Sequence, residues 1–158
     1  PYPGGPLIDK YGKKGNKHKF TFGKHKVGKY DFSYSGIKTS IIRVIEKEVK
    51  KNPNFIKENL EDLCASIQHT IVEILIKKIK KASSDLRINE IAIAGGVSAN
   101  TYLRSQLTNL KKEGKNIFIP KFEYCTDNAA MIAITGYYKY LEKTFSNQSV
   151  SPNSRLKI

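Results

Sequence analysis

The chain has 158 residues, of which 39% are hydrophobic and 27% are charged. This is the length of one ordinary domain with enough apolar material for a core, which excludes disorder of the whole chain. Lys and Arg number 28 against 14 Asp and Glu, so the formal net charge is +14. Such a charge attracts polyanions such as nucleic acid, but it is equally typical of a low-GC proteome rich in Ile, Lys and Asn.

Several classes of protein are excluded by what the sequence lacks. No apolar run approaches the ~18 residues of a transmembrane helix, so no membrane association is expected. Two cysteines, without a CxxC motif or a Cys/His cluster, make neither a disulfide scaffold nor a zinc knuckle. A reducing cytoplasm is therefore the expected compartment. The start, PYPGG, has no initiator Met and no apolar segment, so we expect it to continue a longer protein rather than to be a signal peptide.

Residues 1–30 are rich in glycine, proline and lysine, which predicts turns and loops with one short strand over residues 19–22. No acidic residue lies between Asp9 and Asp31, whereas basic residues recur there. They are Lys10, Lys13, Lys14, Lys17, Lys19, Lys24, Lys26 and Lys29, with His18 and His25. This basic loop either contacts RNA phosphates or is simply solvated, and both interpretations stay open.

Two stretches have the apolar spacing of helices. An apolar side chain recurs every four positions over residues 37–49, which predicts a helix with Ser35 as its cap. An Asn-Pro-Asn break follows at residues 52–54. A second helix is predicted over residues 55–81, where apolar residues recur at three- and four-residue steps.

From residue 88 onward, strand and helix patterns alternate. Short strands are predicted over residues 88–94 and 116–120, with a helix over residues 99–112 between them. A last helix is predicted to begin at Asp127, which suits a helix start, and to turn its apolar residues inward. This order predicts the α/β class, with a layer of parallel strands.

Glycine pairs mark two candidate ligand sites. Gly95 and Gly96 lie between a strand and a helix, so the backbone can approach a ligand and the helix N-terminus can offer N–H groups to an anion. Asn100, at the end of this turn, can donate and accept hydrogen bonds. In the first segment, Gly5 also allows close approach, and Asp9 can accept hydrogen bonds from ribose hydroxyls. The alternatives are a tight turn in the first case and an N-terminal turn with a surface Asp in the second.

A third candidate is Asp127, in the sequence EYCTDNAA. Its carboxylate follows a strand and a loop, at the edge where ligands bind in open α/β sheets. The alternative is a plain helix cap. Cys125 has no nearby His, which favours a buried structural thiol over a nucleophile.

Four motifs in one order carry a family resemblance: PYPGGPLID (1–9), DFSYSGIKTS (31–40), AGGVSANTYLR (94–104) and CTDNAAMIA (125–133). The chain resembles the C-terminal half of the universal tRNA threonylcarbamoyladenosine transferase family, in its bacterial branch. The resemblance implies an acyltransferase of tRNA modification. It would move the threonylcarbamoyl group of threonylcarbamoyl-adenylate to the adenosine next to the anticodon of tRNAs that read A-starting codons.

The resemblance also implies residue roles. Gly5, Asp9 and Asn100 match substrate-binding positions, and Gly95 and Gly96 match glycines that line the nucleotide. Asp127 matches the carboxylate ligand of one divalent metal ion, iron or alternatively zinc. The two histidine ligands of the family, spaced four apart, have no match here, so the chain on its own is expected to be inactive. Accessory proteins of the pathway are further expected partners.

The implied fold is that of the actin-like, sugar-kinase and Hsp70 ATPases, which is ribonuclease H-like. Residues 1–145 would form the C-terminal nucleotide-binding lobe with a helical insertion around 31–81, and residues 146–158 an irregular polar tail. The alternative function is a non-catalytic ATPase-fold paralogue that acts as a partner or regulatory subunit. A stand-alone RNA-binding module is less favoured, because no RNA-module signature is present.

Overall fold

The structure is a computed structural model that describes residues 3–23 and 27–153. Within these residues the chain forms six α-helices and two β-strands, with short 3-10 helices between some of them. In chain order they are α1 (Gly4–Gly12), α2 (Tyr34–Lys51), α3 (Phe55–Glu58), α4 (Leu60–Leu86), β1 (Glu90–Ala92), α5 (Thr101–Asn109), β2 (Asn116–Phe118) and α6 (Ala129–Leu141). Lys24, His25 and Lys26 of the basic loop, and residues 154–158 of the tail, lie outside the described residues. Residues 146–153 form no helix or strand.

Residues 4–12 form a helix, so the prediction of turns is wrong there, whereas residues 13–23 and 27–30 form turns and loops as predicted. Pro3 precedes α1 with extended backbone, at φ −80° and ψ 137°. Pro6 lies in the first turn, where a missing N–H removes no helical hydrogen bond. The helix packs so closely on α4 that a Cβ on Gly12 would lie 3.3 Å from the backbone of Ala65. Tertiary packing therefore overrides the local preference of glycine and proline for turns.

The strand predicted over residues 19–22 is also wrong, because the segment pairs with no strand in the described part of the chain. It lies instead along α4, where the Phe20 amide donates to Ser66 Oγ at 3.2 Å. The Phe20 ring meets Phe55 edge-on at 5.5 Å between centroids, and Phe22 is buried. The alternation of Phe20 and Phe22 thus reflects burial against helices rather than pairing in a sheet.

The predicted helix over residues 37–49 is confirmed as α2, although Ser35 lies inside it and does not cap it. Ser33 occupies the N-cap position and makes no capping hydrogen bond with its side chain. The Ser35 carbonyl accepts from Thr39 Oγ1 at 3.1 Å, a bond that belongs to the helix interior.

The second predicted helix is confirmed in two pieces, α3 and α4, which Asn59 separates. α4 runs further than predicted, to Leu86, and stops at Arg87 with φ +55°. Ser83 Oγ donates to the Ile88 carbonyl at 2.5 Å, which fixes the turn into β1. α4 has 27 residues, but neither it nor any other helix of the described residues is both long and apolar enough to cross a membrane.

The two strands are parallel, which confirms the α/β class. Ile91 of β1 is opposite Ile117 of β2. Ile117 joins a buried cluster with Val72 of α4 and Leu103 and Leu107 of α5, and Ile91 packs against this cluster. One face of the sheet is therefore covered by α4 and α5, as the alternating burial along each strand indicates.

The last helix is confirmed, but its start and its orientation differ from the prediction. α6 begins at Ala129, and Asn128 caps it by accepting from the Met131 amide at 3.2 Å. None of its residues is buried. The prediction of an inward apolar face is wrong, since no described element covers this helix.

Candidate functional site

A cavity of about 490 Å³ lies where the start of α1 meets the turn after β1. Its lining residues come from these two segments alone: Pro3, Gly5, Pro6, Asp9, Gly96, Val97, Ala99 and Asn100. Two motifs that are far apart in the sequence therefore form one site. Four of the six predicted site residues, Gly5, Asp9, Gly96 and Asn100, line it.

The turn after β1, residues 95–100, is the glycine turn, and it depends on Gly95. Its backbone has φ +79° and ψ 174°, a conformation that residues with a Cβ rarely adopt. Ser98 is buried, and its Oγ donates to the Gly95 carbonyl at 2.6 Å. Gly95 itself does not line the cavity, so its role in the structure is to shape the turn that presents Gly96.

Gly5 and Gly96 leave open space in the cavity wall. A Cβ placed on either glycine would meet no protein atom within 4 Å. Packing inside the chain therefore does not require glycine at these positions. The missing side chains leave room for a ligand to touch the backbone.

Asp9 holds α1 against the start of α5. Its Oδ1 accepts from Thr101 Oγ1 at 2.9 Å, and its Oδ2 accepts from the Thr101 amide at 3.3 Å. Lys13 Nζ lies 4.0 Å from Oδ2, and the Asp9 side chain is 14% exposed. Each carboxylate oxygen keeps a further lone pair, so Asp9 can still accept a hydrogen bond from a ligand hydroxyl.

Asn100 uses both ends of its amide within the protein. Its Oδ1 accepts from the Leu103 amide at 2.8 Å and caps α5, and its Nδ2 donates to Gln68 Oε1 at 3.0 Å. With Asp9 on the Thr101 amide, two N–H groups at this helix N-terminus are taken. The terminus is therefore not the open anion site that the strand–glycine–helix layout predicted.

Asp127 is exposed in the loop before α6 and does not line the cavity. It has no hydrogen-bond or ion-pair partner among the described residues. No group of three His, Cys, Asp or Glu side chains able to hold a metal occurs in the described part of the chain. One exposed carboxylate does not fit a transition-metal site by itself, so the described residues alone do not form one.

Comparison with known proteins decides the family. The family model of tRNA N6-adenosine threonylcarbamoyltransferase matches residues 1–134. The chain belongs to this family. A protein of that name from Riemerella anatipestifer is 55% identical over 99% of this chain and 46% of its own length. Those from Christiangramia forsetii and Thermosipho africanus are 52% and 44% identical, over 100% and 99% of this chain and 47% of each relative.

The chain thus spans about half the length of the curated threonylcarbamoyltransferases that it matches. These relatives carry the name of an enzyme. The alternative of a non-catalytic paralogue is therefore not favoured.

Arg104 is a site residue of this family member that the sequence analysis missed. Its Nε donates to the Ser98 carbonyl at 2.6 Å, and its Nη2 donates to the Pro120 carbonyl at 2.7 Å and lies 3.1 Å from Cys125 Sγ. Its guanidinium stacks on Phe122, 3.9 Å from the ring centroid. Arg104 therefore ties the glycine turn to the loop that leads to Asp127. The sequence offered no signal for this role, because the predicted helix over residues 99–112 also contains Lys111 and Lys112.

Cys125 is buried, as expected for a structural thiol. Gln68 and Thr101 were also missed, because each acts through a partner far away in sequence. Gln68 contacts Asn100 and Thr101 contacts Asp9, and neither pairing has a local sequence signal.

Carboxylates of α4 pair with several lysines of the basic loop. Lys19 Nζ lies 2.7 Å from Asp62 Oδ2, and this hydrogen bond lowers the pKa of Asp62. Lys29 Nζ lies 2.9 Å from Asp85 and lowers its pKa to about 2, with help from Tyr30. Among the described residues of the loop, Lys19 and Lys29 are therefore held against α4 by ion pairs, and their charges are not free for a ligand.

Proposed function

We propose that the cavity binds threonylcarbamoyl-adenylate and that the full-length protein transfers its threonylcarbamoyl group to tRNA. The acceptor would be the adenosine next to the anticodon in tRNAs that read A-starting codons. The observation that carries this proposal is the meeting of Gly5 and Asp9 with Gly96 and Asn100 around one cavity. Both contributing segments belong to the motifs of the family.

The geometry supports a nucleoside in this cavity better than a bare phosphate. The Asp9 carboxylate at the start of α5 repels an anion there, whereas it can accept hydrogen bonds from ribose hydroxyls. Gly5 and Gly96 let a flat ring or a sugar approach the backbone. Asn100 is held by its hydrogen bonds to Leu103 and Gln68, so the cavity wall that it forms is fixed in place.

The proposed reaction asks mainly for positioning. Threonylcarbamoyl-adenylate is a mixed anhydride and is already activated. The exocyclic amine of adenosine attacks the carbamoyl carbon, the bond from that carbon to the phosphate oxygen breaks, and AMP leaves with the electron pair while the amine loses a proton. Holding the anhydride in position against the amine lowers the activation free energy, by roughly 7–11 kcal/mol in the best cases.

Asp127 is the proposed carboxylate ligand of a divalent metal, iron or alternatively zinc. The other ligands would come from the part of the protein outside this chain, because no group of three His, Cys, Asp or Glu side chains able to hold a metal occurs among the described residues. An exposed carboxylate without an ion-pair partner is compatible with this role.

The proposed architecture is the C-terminal lobe of an actin-like ATPase fold over residues 1–145. The parallel pair β1 and β2, covered by helices on one face, supports this assignment. Helices α2 to α4 would include the insertion around residues 31–81. We place the reaction in the cytoplasm, where tRNA is modified, together with accessory proteins of the pathway.

Asp127→Ala in the full-length protein tests the function. We expect tRNA modification to fall by about a hundredfold or more, as for loss of a metal ligand. Because Asn128 rather than Asp127 caps α6, stability should change by less than about 0.5 kcal/mol. Transfer of the threonylcarbamoyl group, labelled in its threonine part, from the adenylate to tRNA measures the activity.

Glu123→Ala is the matched control, since Glu123 is an exposed carboxylate in the same loop. It should leave the rate within about twofold of the parent. Full modification of tRNA by the Asp127→Ala protein would refute the role of Asp127.

A further inference from the structure

A second cavity, of about 340 Å³, adjoins the first and shares no lining residue with the proposed adenylate site. The two cavities share a wall made of two hydrogen-bonded pairs. Asp9 and Asn100 face the first cavity, and their partners Thr101 and Gln68 face the second. The second cavity lies between the loop after α1, α4 and the start of α5.

The groups that line this cavity are hydrogen-bond donors and cations. Lys13 and Lys17 line it, together with the hydroxyl-bearing residues Thr101, Tyr102 and Ser105, and no carboxylate is among the lining residues. An ammonium group beside hydroxyl and amide donors is the chemistry that binds phosphate. Lys13 also lies 4.0 Å from Asp9, so a phosphate site here depends on Lys17.

Lys17 differs from its neighbours on the basic loop. Lys14 lies 3.8 Å from Glu61 and Lys19 lies 2.7 Å from Asp62, but Lys17 has no carboxylate partner among the described residues. Its Nζ lies 3.5 Å from Tyr102 Oη, which in turn lies 3.0 Å from His69 Nδ1. The charge of Lys17 is therefore available to a ligand.

Gln68 adds a hydrogen-bond donor to this cavity. Its side chain is more than nine-tenths buried, and Oε1 accepts from Asn100. Its Nε2 has no hydrogen-bond partner among the described residues, yet the residue lines the second cavity. No buried polar side-chain atom of the described residues lacks a hydrogen-bond partner, so Nε2 is open to the cavity and can donate to a ligand there.

The loop that carries Lys17 is held in place. A Cβ on Gly15 would collide with the Glu61 carbonyl, so the loop lies directly on α4. The Asn16 amide donates to Asp62 Oδ1 at 2.7 Å, and Ser66 Oγ donates to the Asn16 carbonyl at 3.2 Å. Lys17 is thus presented from a fixed backbone, which reduces the cost of ordering it on a ligand.

We infer that this second cavity binds a phosphate of the tRNA backbone through Lys17, Tyr102 and Gln68. The inference rests on the proposed function, since it names where the tRNA substrate touches this chain. The adenylate is a second possible source of a phosphate, but the Asp9–Thr101 and Asn100–Gln68 pairs separate the two cavities. The RNA backbone is the source that the geometry favours.

The test uses the full-length protein with Lys17→Gln, and Lys14→Gln as the matched control from the same loop. Binding to substrate tRNA is measured by fluorescence anisotropy over a range of salt concentrations, and binding of a non-hydrolysable adenylate analogue by calorimetry. Lys17→Gln should weaken tRNA binding by about five- to tenfold near 0.1 M salt and flatten the plot of log affinity against log salt by roughly 0.7–0.9. Lys14→Gln should change the tRNA affinity and the salt slope little. The affinity for the adenylate analogue should stay the same in both variants.

Tyr102→Phe removes only the hydroxyl and should weaken tRNA binding by about threefold to tenfold. If Lys17→Gln instead weakens only the adenylate analogue, the phosphate belongs to the small substrate and the inference fails. If the parent binds tRNA and Lys17→Gln binds it equally well with the same salt slope, the inference also fails while the proposed function stands. A parent that binds the adenylate analogue but no tRNA overturns both.

Discussion

At the scale of single residues, two side chains hold the candidate site together without lining the first cavity. Gln68 fixes the amide of Asn100, and Arg104 joins the glycine turn to the loop before α6. Arg104 is partly buried and uses a fork of donors plus a flat stacking surface, which a lysine cannot reproduce. Its effect on the site should therefore depend on its shape as well as its charge.

Arg104→Lys in the full-length protein should lower the free energy of unfolding by about 1.5–3 kcal/mol, the range for hydrogen bonds made by a charged group. The loss should concentrate in the loop, so amide hydrogens of residues 121–127 should exchange faster while those of α4 keep their protection. Urea denaturation and hydrogen exchange measure the two effects. Arg43→Lys, at an exposed arginine of α2, serves as the control. Unchanged exchange over residues 121–127 would show that Arg104 does not hold this loop.

At the scale of elements, the segment before α2 is fastened to the end of α4. Asp85 Oδ2 lies 2.9 Å from Lys29 Nζ and accepts from Tyr30 Oη at 2.8 Å, and Lys78 Nζ donates to the Gly28 carbonyl at 2.6 Å. The Lys29 and Tyr30 hydrogen bonds lower the pKa of Asp85 to about 2. This attachment should therefore depend on pH.

The direction in which pH changes the stability follows from the difference between the folded and unfolded pKa of Asp85. A carboxylate whose pKa is lower in the folded state stabilises the fold fully above its unfolded pKa, near 3.8, and loses that contribution as the pH falls to about 2. Asp85→Asn should reduce the free energy of unfolding at pH 7, and the difference from the parent should shrink between about pH 4 and pH 2. Chemical denaturation at several pH values measures it, with Glu46→Gln as the control. A difference that stays constant from pH 7 to pH 2 would contradict the ion-pair assignment.

The elements that the sequence predicts well are those with long periodic patterns. α2 and α4 repeat apolar residues over several turns, and β1 and β2 are short apolar runs next to glycine or proline. α1 could not be predicted from its sequence pattern, because its helix depends on packing against Ala65. Residues 19–22 have the pattern of a strand because Phe20 and Phe22 pack against helices. Asp127 and Asn128 are adjacent, and only geometry shows that Asn128 is the cap.

The candidate site also divides into residues that local sequence pattern predicts and residues that only tertiary packing reveals. Gly5, Asp9, Gly96 and Asn100 could be named from their motifs, because glycine and polar residues at the ends of elements have a local signal. Gln68 and Thr101 could not, since their roles depend on partners that only the tertiary structure brings near. Lys17 could be named only as one of the eight lysines of the basic loop, and its contact with Tyr102 is what sets it apart. Local pattern thus finds some residues of the site, and packing determines what each one contacts.

At the scale of the whole molecule, α6 leaves a large apolar surface uncovered by the described chain. Its exposed large hydrophobic residues are Met131, Ile132, Ile134, Tyr137, Tyr138, Tyr140 and Leu141. Contiguous apolar surface of this kind is rare on monomers, and the chain spans about half the length of its relatives. Measurements on the site therefore belong on the full-length protein, in which more chain is available to cover α6.

If the cavity between α1 and the glycine turn binds the adenylate substrate, valine at two adjacent glycines of α1 should have different effects on affinity. Gly4 and Gly5 are neighbours in α1, and a Cβ on either meets no protein atom within 4 Å, but only Gly5 lines the cavity. Calorimetry of the full-length protein with a non-hydrolysable adenylate analogue should show Gly5→Val weakening the affinity by at least about tenfold, or ~1.4 kcal/mol, and Gly4→Val leaving it within about twofold. Equal affinities for the two variants would contradict the assignment of this cavity to the substrate.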